Sequence, residues 1–531
     1  MNAVSIAPAA LRGLLDDRAE IALLDAREEG VYARDGHILL ASNVPLSHLE
    51  MRVAALLPRK AVRIVVCDGG EGLAAMAAAR LTELGYTNVK VLEGGAPAWA
   101  AAGFRLYTGV YVPSKAFGEY VLHQDRTPEV TVDELHAWKS DGRELVILDS
   151  RPLDEFRRNS IPGAIDCPSA ELVYRAHDLT RSPETVVVVN CGGRTRSIIG
   201  AQALINAGFG HRVYALKDGT QGWHLAGYPL DHGRTDSAPP PSPAGEARSR
   251  EAAARVAKRY GVRTLTQAEL KALQADTART VYLLDVRSPE EYTAGHVPGS
   301  LSAPGGQLVQ ATDTYLAVRR AAVVLIDDNG ARATTTAAWL AQMGWKDVYV
   351  LQGALESALE RGPEAVEIPG LERLRVDTVS AGALRDLLAQ GQTQVADLAY
   401  SLRYSEGHIP GAWHVVRSRL RENLASIPPA KLLVFTSPDG VLARLAAADA
   451  ARLASTPVKV LEGGTHAWIA SGFPLESGTE RYTGPDDDLR YKALDRKTNV
   501  EAAIREYLEW EVDLVNAVES DPDFGFRRFA P

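Results

Sequence analysis

Cys191 opens a segment whose residue types suit nucleophilic chemistry, Cys191-Gly192-Gly193-Arg194-Thr195-Arg196-Ser197. The apolar run 186–190 precedes it, and a helix-like run, 198–207, follows it. A cysteine at a strand-to-helix junction lies where backbone N–H groups and the positive end of the helix converge, and this environment favours a thiolate and anionic ligands. The sequence therefore places the chemistry of the chain at Cys191.

The residues after the cysteine suit an anion-binding loop. Gly192 and Gly193 let the backbone curve without Cβ clashes. The backbone N–H groups from Gly192 to Ser197 can then face inward as a cradle for an anion. Arg194 and Arg196 add fixed positive charge. We expect the residues from Gly192 to Ser197, Thr195 included, to bind an anionic substrate.

The segments around this loop belong to a unit that occurs four times along the 531 residues. Each unit has an apolar strand ending in Asp, a turn, a second apolar strand, a polar loop with an alanine-rich helix, and a closing strand with a turn. We call the units repeats 1 to 4 and assign them to residues 1–106, 128–232, 262–368 and 376–480. Strands that alternate with helices predict an α/β fold, with a small, mainly parallel sheet covered by helices in each repeat.

Two segments outside the repeats carry signals of their own. Residues 232–246 are rich in Pro and Ser and are predicted to be a linker. Residues 481–531 form a tail with a predicted helix at 500–518, in which Leu508, Val512 and Val515 are at helical spacing. We expect this tail to pack against a domain or a second subunit.

Composition excludes several classes of function. A net charge of −9 disfavours nucleic-acid binding, and the chain has no apolar run long enough to span a membrane. The three cysteines form no CxxC motif and no Cys/His cluster, so neither a disulfide framework nor a metal site is expected. The first ten residues do not resemble a signal peptide, and the expected location is the cytoplasm.

The ordered motifs together resemble the rhodanese sulfurtransferase family. They are Asp-x-Arg, Gly-His-[Ile/Val]-Pro-Gly, a strand followed by the cysteine loop and a helix, and Leu-x-Gly-Gly-x-x-x-Trp. The resemblance implies four tandem rhodanese-like domains without a cofactor. It also implies that Cys191 takes sulfane sulfur from a small anionic donor such as thiosulfate, forms a persulfide, and passes the sulfur to cyanide or a thiol.

Only repeat 2 matches the active loop residue by residue. Repeats 3 and 4 have no cysteine in the loop and are expected to be inactive. In repeat 1, counting forward from Asp25 aligns Cys67 with Cys191, whereas counting backward from Gly85 aligns Asp68 with it. The acidic neighbours of Cys67 would raise its thiol pKa, so repeat 1 is also expected to be inactive.

Other candidate residues have structural explanations. Asp149 and Arg151 are expected to form a scaffold ion pair, because repeat 3 has the same pair without the cysteine. The turn histidines are expected to fix their turns, because repeat 2 has Ser160 at that place. Cys167 lies outside the loop and is expected to be a structural core residue.

Two alternative functions remain open. One is a persulfide carrier whose inactive domains dock a partner, with a protein as the sulfur acceptor. The other is a cysteine phosphatase or arsenate-reductase-like enzyme. Phosphatases of similar architecture have a longer Cys-x5-Arg loop, whereas Cys191 and Arg196 form Cys-x4-Arg. The loop length therefore favours sulfur transfer.

Overall fold

A computed structural model describes residues 4–356, 358–453 and 455–529. The chain divides into two compact units. One contains the residues up to Asp17, Ala22–Val110 and Val366–Tyr491, and so holds repeats 1 and 4. The other contains Arg18–Ile21, Tyr111–Ala365 and the residues from Lys492 onward, and so holds repeats 2 and 3.

Repeats 1 and 2 have the same succession of elements. Repeat 1 contains β1 (Val4–Ile6), α1 (Pro8–Asp16), β2 (Ile21–Asp25), α2 (Glu29–Asp35), β3 (Ser42–Asn43), α3 (Leu49–Leu56), β4 (Arg63–Cys67), α4 (Leu73–Glu83), β5 (Val89–Leu92) and α5 (Gly95–Ala101). Helix α6 (Val112–Asp125) follows it. Repeat 2 contains β6 (Glu129–Val130), α7 (Val132–Ser140), β7 (Leu145–Asp149), α8 (Leu153–Arg158), β8 (Ala164–Asp166), α9 (Glu171–Arg175), β9 (Val186–Asn190), α10 (Thr195–Asn206), β10 (Arg212–Leu216) and α11 (Gly219–Leu225).

Repeats 3 and 4 continue the pattern after helix α12 (Pro243–Tyr260). Repeat 3 contains β11 (Arg263–Leu265), α13 (Gln267–Ala275), β12 (Val281–Asp285), α14 (Pro289–Ala294), β13 (Leu301–Ser302), α15 (Gly305–Gln310), β14 (Val318–Arg319), β15 (Ala322–Ile326), α16 (Ala331–Gln342) and β16 (Val348–Leu351). Repeat 4 contains β17 (Thr378–Val379), α17 (Ala381–Ala389), β18 (Thr393–Asp397), α18 (Ser401–Glu406), β19 (Trp413–His414), α19 (Leu420–Ala425), β20 (Leu432–Thr436), α20 (Val441–Ala450), β21 (Val458–Leu461) and α21 (Gly464–Ala470). The tail contains α22 (Val500–Ser520).

Each repeat builds one parallel sheet with the same strand order. The orders are β1-β5-β4-β2 with β3 beside β2, β6-β10-β9-β7-β8, β11-β16-β15-β12-β13 and β17-β21-β20-β18-β19. In repeat 2 the register pairs Leu145 with Val186 and continues to Asp149 beside Asn190. Strand β9 is a run of four valines, whose branched side chains suit a strand buried on both faces. The predicted α/β fold with four parallel sheets is confirmed, and in repeat 2 the central strands bring Asp149 and Asn190 to the sheet edge where Cys191 follows.

The segments outside the repeats differ in detail from the sequence-based expectations. The end of the predicted linker is helical, since α12 begins at Pro243. The Ser242 side chain accepts a hydrogen bond from Gly245 N and so caps the helix. The predicted tail helix is present as α22. Of the three residues noted for their helical spacing, Leu508 is buried and Val515 is half-buried, but Val512 is exposed, whereas Glu511 and Leu514 are buried. Among the described residues, no helix is both long and apolar enough to cross a bilayer.

Candidate active site

The loop that starts at Cys191 connects β9 to α10, as the sequence predicts. Cys191 is 2% exposed, and its carbonyl oxygen accepts a hydrogen bond from Thr220 N at 2.8 Å. Its Sγ lies 3.6 Å from Oγ of Ser197, whose hydroxyl donates to the carbonyl of Arg194 at 2.7 Å. The thiol is thus enclosed by its own loop, with a hydroxyl group beside the sulfur.

The glycine of the closing motif lets α11 approach this loop. Gly219 has a φ of +54°, and a Cβ there would lie 2.3 Å from the carbonyl oxygen of Cys191. Gly95 and Gly464 have equally close contacts with the carbonyls of Asp68 and Ser437 in repeats 1 and 4. A side chain at any of these positions would push the closing helix away from the loop.

The backbone of the Cys191 loop leaves hydrogen-bond donors open. Among the described residues, no protein atom accepts a hydrogen bond from the backbone N–H groups of the six residues from Gly192 to Ser197. Three of these residues begin α10, where N–H groups have no partner within the helix and the helix dipole is positive. The arrangement is suited to an anion at the sulfur.

The other three repeats have different side chains at the place of Cys191. The backbone oxygen of Asn190 accepts a hydrogen bond from Ser150 N, just after the neighbouring strand β7. In the other repeats the equivalent backbone bond is accepted by Cys67, Ile326 and Thr436, which are therefore the counterparts of Asn190. The residues that follow them are then the counterparts of Cys191: Asp68, Asp327 and Ser437. Of the two alignments of repeat 1, the structure supports the one through Asp68.

Two of these counterparts fill the anion cradle with their own carboxylates. Asp68 accepts hydrogen bonds at 2.9–3.0 Å from the N–H groups of Gly70, Gly72 and Ala74. Asp327 accepts at 2.9 and 3.0 Å from the N–H groups of Gly330 and Ala333. The carboxylate holds the place that an anionic ligand would take.

The remaining cysteines are unsuited to nucleophilic chemistry. Cys67 is fully buried at the end of β4, and burial, together with the charge of Asp25, raises its pKa well above the ordinary value. Cys167 is fully buried after β8, and burial likewise raises its pKa. The pKa of Cys67 is thus raised, as the sequence predicts, with burial as a larger cause than the acidic neighbours.

Both arginines of the loop are held by carboxylates, which the sequence did not reveal. Arg194 makes two bonds to Glu119, at 2.6 and 3.0 Å, and one to Asp218 at 3.1 Å. Arg196 Nη2 lies 2.8 Å from Glu155 Oε2, and its Nη1 donates to Oε1 of Gln307 at 3.1 Å. Their charges are therefore largely neutralised, and the backbone N–H groups are the donors that stay open to an anion.

Arg196 is close enough to Cys191 for the charges of the two groups to interact. Burial lowers the pKa of this guanidinium, but Glu155 above all, followed by Cys191 and Asp149, outweighs burial and raises it. Burial would also raise the pKa of Glu155, but Arg196 and Lys492 lower it well below its usual range, so this partner of the arginine is ionised.

Asp149 and Arg151 form the ion pair expected from the sequence. The Arg151 guanidinium donates to both oxygens of Asp149 at 2.9 and 2.8 Å, and Asn190 Nδ2 donates to Asp149 at 2.9 Å. Arg151 also bonds Asn159, so the pair ties β7 to the segment after α8. The same Asp-x-Arg pairing is present in repeats 1 and 3.

The turn histidines are held within their own repeats. His37, His296 and His408 each stack on a tyrosine from the preceding helix, with ring centroids 3.7–3.9 Å apart. Each also forms a bridge with the chain that follows the last helix of its repeat, as Ser160 does in repeat 2. These contacts support the turn-fixing role.

Comparison with known proteins accounts for this repeated arrangement. The profile of the family described as "Rhodanese-like domain" matches residues 7–102, 131–226, 266–360 and 380–471, which is well over half of the chain. The chain belongs to the rhodanese family. Its repeats are four rhodanese domains, and the resemblance noted from the sequence is confirmed.

One solved structure matches over the whole length. It is the crystal structure of a thiosulfate sulfurtransferase from Pseudomonas aeruginosa, with 45% identity and a TM-score of 0.94, and the match covers 99% of this chain and 100% of that one.

Two curated relatives match over shorter regions. The HTH-type transcriptional regulator Rv0324 of Mycobacterium tuberculosis is 35% identical over 95 residues, which are 18% of this chain and 41% of that protein. The SseB protein of the same species is 30% identical over 173 residues, 31% of this chain and 59% of that protein. The chain thus spans about half the length of these relatives.

Among the described residues, three side chains from outside rhodanese domain 2 form hydrogen bonds with side chains of the loop, and sequence reasoning missed them. Glu119 comes from α6, Gln307 from domain 3 and Glu511 from α22. Glu511 could have been noticed, since it is seven positions after Ile504 and so falls on the same helix face. Within the described residues, no group of His, Cys, Asp and Glu side chains is arranged to hold a metal ion.

Proposed function

We propose that this rhodanese is a sulfurtransferase in which Cys191 of domain 2 receives sulfane sulfur from thiosulfate and passes it to cyanide or a thiol. One observation carries the proposal. Of four loops built alike, only that of domain 2 combines a thiol with open N–H groups, whereas Asp68 and Asp327 occupy the same groups themselves. The full-length similarity to a thiosulfate sulfurtransferase supports the same activity.

In the first step the Cys191 thiolate attacks the outer sulfur of thiosulfate. A new S–S bond forms, and the bond between the two thiosulfate sulfurs breaks, with its electron pair leaving on sulfite. The open N–H groups of the loop would stabilise the negative charge on the departing sulfite. Arg196, near enough to act on the Cys191 charge, would stabilise the thiolate and then the persulfide anion.

In the second step cyanide or a thiolate attacks the terminal sulfur of the persulfide. With cyanide the products are thiocyanate and the regenerated Cys191 thiolate, so charge and electrons balance without an external oxidant. The 2% exposure of Cys191 favours small donors and acceptors over a protein acceptor. Three buried cysteines without a disulfide fit a reducing compartment, and we place the activity in the cytoplasm.

Domains 1, 3 and 4 have no part in the covalent chemistry under this proposal. Their loops have Asp68, Asp327 and Ser437 where the nucleophile would be, and none of these side chains can form a persulfide. Domain 3 contributes indirectly, because Gln307 holds Arg196. The domain assignments 1–106, 128–232, 262–368 and 376–480, with a tail from 481, are part of the same proposal.

Intact-mass spectrometry after exposure to thiosulfate tests the proposal. We expect the parent chain and Cys67→Ala to gain the mass of one sulfur atom, Cys191→Ala to gain none, and cyanide to remove the gain. Sulfur on Cys67 or no sulfur on Cys191 would overturn it. Hydrolysis of para-nitrophenyl phosphate that is lost in Cys191→Ala would instead indicate phosphatase chemistry.

A further inference from the structure

Two helices outside the rhodanese domains lie against the Cys191 loop. The Thr195 hydroxyl, at the first residue of α10, donates a hydrogen bond to a Glu511 carboxylate oxygen from α22. A Cβ on Gly193 would lie 3.0 Å from Cε1 of Tyr507 and 3.2 Å from Oε2 of Glu511. A Cβ on Gly118 of α6 would lie 3.0 Å from Cα of Thr195. The loop is therefore closed in by α6 and α22, and a Cβ at position 193 would require Tyr507 or Glu511 to shift.

The Glu511 carboxylate is fully buried next to a loop that is suited to anions. Lys115 of α6 compensates this charge, with Nζ 3.6 Å from Oε1 of Glu511, and it also donates a hydrogen bond to the Tyr507 hydroxyl. Burial alone would raise the pKa of Glu511, but Lys115, with the hydrogen bonds from Thr195 and Tyr507, lowers it. Glu511 is thus an ionised acceptor held in one place.

We propose that Glu511 is a positioning residue for sulfur transfer at Cys191: through the Thr195 hydroxyl it fixes the start of α10, so that the loop N–H groups converge on the sulfur. The inference rests on the proposed function. When hydrogen-bond donors are displaced by about 1 Å from the place where charge develops in a reaction, the rate falls on the order of a hundredfold. Lys115 keeps the Glu511 charge from opposing an anionic donor.

Lys115 and Glu511 have opposite charges and should therefore affect the binding of an anionic sulfur donor in opposite directions. A purely structural packing role would not change KM for thiosulfate in this way. Lys115→Met leaves the negative charge of Glu511 beside the loop, so KM for thiosulfate rises several-fold. Glu511→Gln leaves the positive charge of Lys115 and still offers Thr195 an oxygen acceptor. Its KM therefore falls, and its kcat falls less than that of Glu511→Ala.

Loss of the acceptor itself is tested with a double-mutant cycle at Thr195. Glu511→Ala and Thr195→Val are each expected to lower kcat by about tenfold or more, because a buried hydrogen bond to a charged group is lost. The double variant is expected to be no worse than either single one, since both remove the same bond. Glu509→Gln, exposed on the same helix, is the matched control and is expected to behave as the parent.

Steady-state kinetics in the full chain, with a melting curve for each variant, completes the test. The proposal fails if Glu511→Ala has the kcat and KM of Glu509→Gln, or if the effects of Glu511→Ala and Thr195→Val multiply. If Glu511→Ala does not fold, the comparison of Glu511→Gln with Lys115→Met tests the proposal instead. If the KM for thiosulfate shifts in the same direction in both variants, the proposal is overturned. Failure of the proposed function would appear separately, as a parent chain that forms no persulfide on Cys191.

Discussion

Replacing Cys191 by Asp should convert the loop of domain 2 into the closed form of domains 1 and 3. The three loops have the same length, because Asp68, Asp327 and Cys191 are each six residues before Ala74, Ala333 and Ser197. An aspartate at 191 can therefore accept from the Ser197 N–H, as Asp327 accepts from Ala333 at 3.0 Å. We expect Cys191→Asp to fold and to lose anion binding as well as activity.

The size of the effect follows from linkage. If thiosulfate binds the open N–H groups, Cys191→Ala binds it without turnover, and a concentration of 100 times Kd stabilises the folded state by about 2.7 kcal/mol. For a folding unit of this size, this stabilisation raises the melting temperature by roughly 5 °C. In Cys191→Asp a carboxylate takes two or three of the six N–H groups, as Asp327 and Asp68 do, so the shift should vanish.

The assay is a thermal-shift titration of Cys191→Ala, Cys191→Ser and Cys191→Asp with sodium thiosulfate, at ionic strength held constant with sodium chloride. Cys191→Ser is the control for a polar side chain that cannot fill the cradle with a charge. Equal thiosulfate-dependent shifts in the Ala and Asp variants would refute the assignment of the open N–H groups as the donor site.

Two further predictions concern residues away from the sulfur. Burial raises the pKa of Glu28 from 4.5 to about 7, and its Oε2 has no hydrogen-bond partner although Ser47 and Ser418 donate to Oε1. The free energy of unfolding of the parent therefore falls as pH rises through this range. Relative to the parent, the free energy of unfolding of Glu28→Gln should rise by up to about 3 kcal/mol between pH 4 and pH 8, as measured by denaturant titration. A difference between the two proteins that does not change with pH would contradict this prediction. Gln307→Leu should lower kcat/KM for thiosulfate about tenfold at unchanged melting temperature, because Arg196 loses its hydrogen bond to domain 3. Unchanged kinetics would mean that domain 3 does not support the site.

The four domains keep one fold although the side chains at the start of their loops differ. In domains 1 and 3 the N–H groups that suit an anion are satisfied by an aspartate of the same chain, so the loop geometry remains stable without a ligand. In domain 4 the Ser437 hydroxyl accepts from Ala443 N at 3.2 Å and performs a similar role with a neutral group. The thiol of domain 2 leaves these groups open.

The sequence by itself determined the repeated architecture and the identity of the nucleophile candidate. Strands and helices follow from apolar periodicity and turn residues, which are properties of neighbouring residues, and the same order recurring four times removed the ambiguity of any one segment. The Cys191 loop, the Asp149–Arg151 pair and the parallel sheets could be predicted for this reason. The burial of Glu511 in the tail helix could not be predicted from hydropathy, which assigns a charged residue to solvent; only its spacing from Ile504 indicated the buried face.

The tertiary structure decided which groups neutralise the loop and which stay open. Glu119 is 75 positions from Arg194, Gln307 is 111 positions from Arg196, and Glu511 is 316 positions from Thr195, and no local pattern predicts such contacts. The structure also favoured Asp68 over Cys67 as the counterpart of Cys191, because backbone pairing between strands fixes the register that counting along the chain left open. Charges whose partners are distant in sequence acquire their roles only when the fold brings them together.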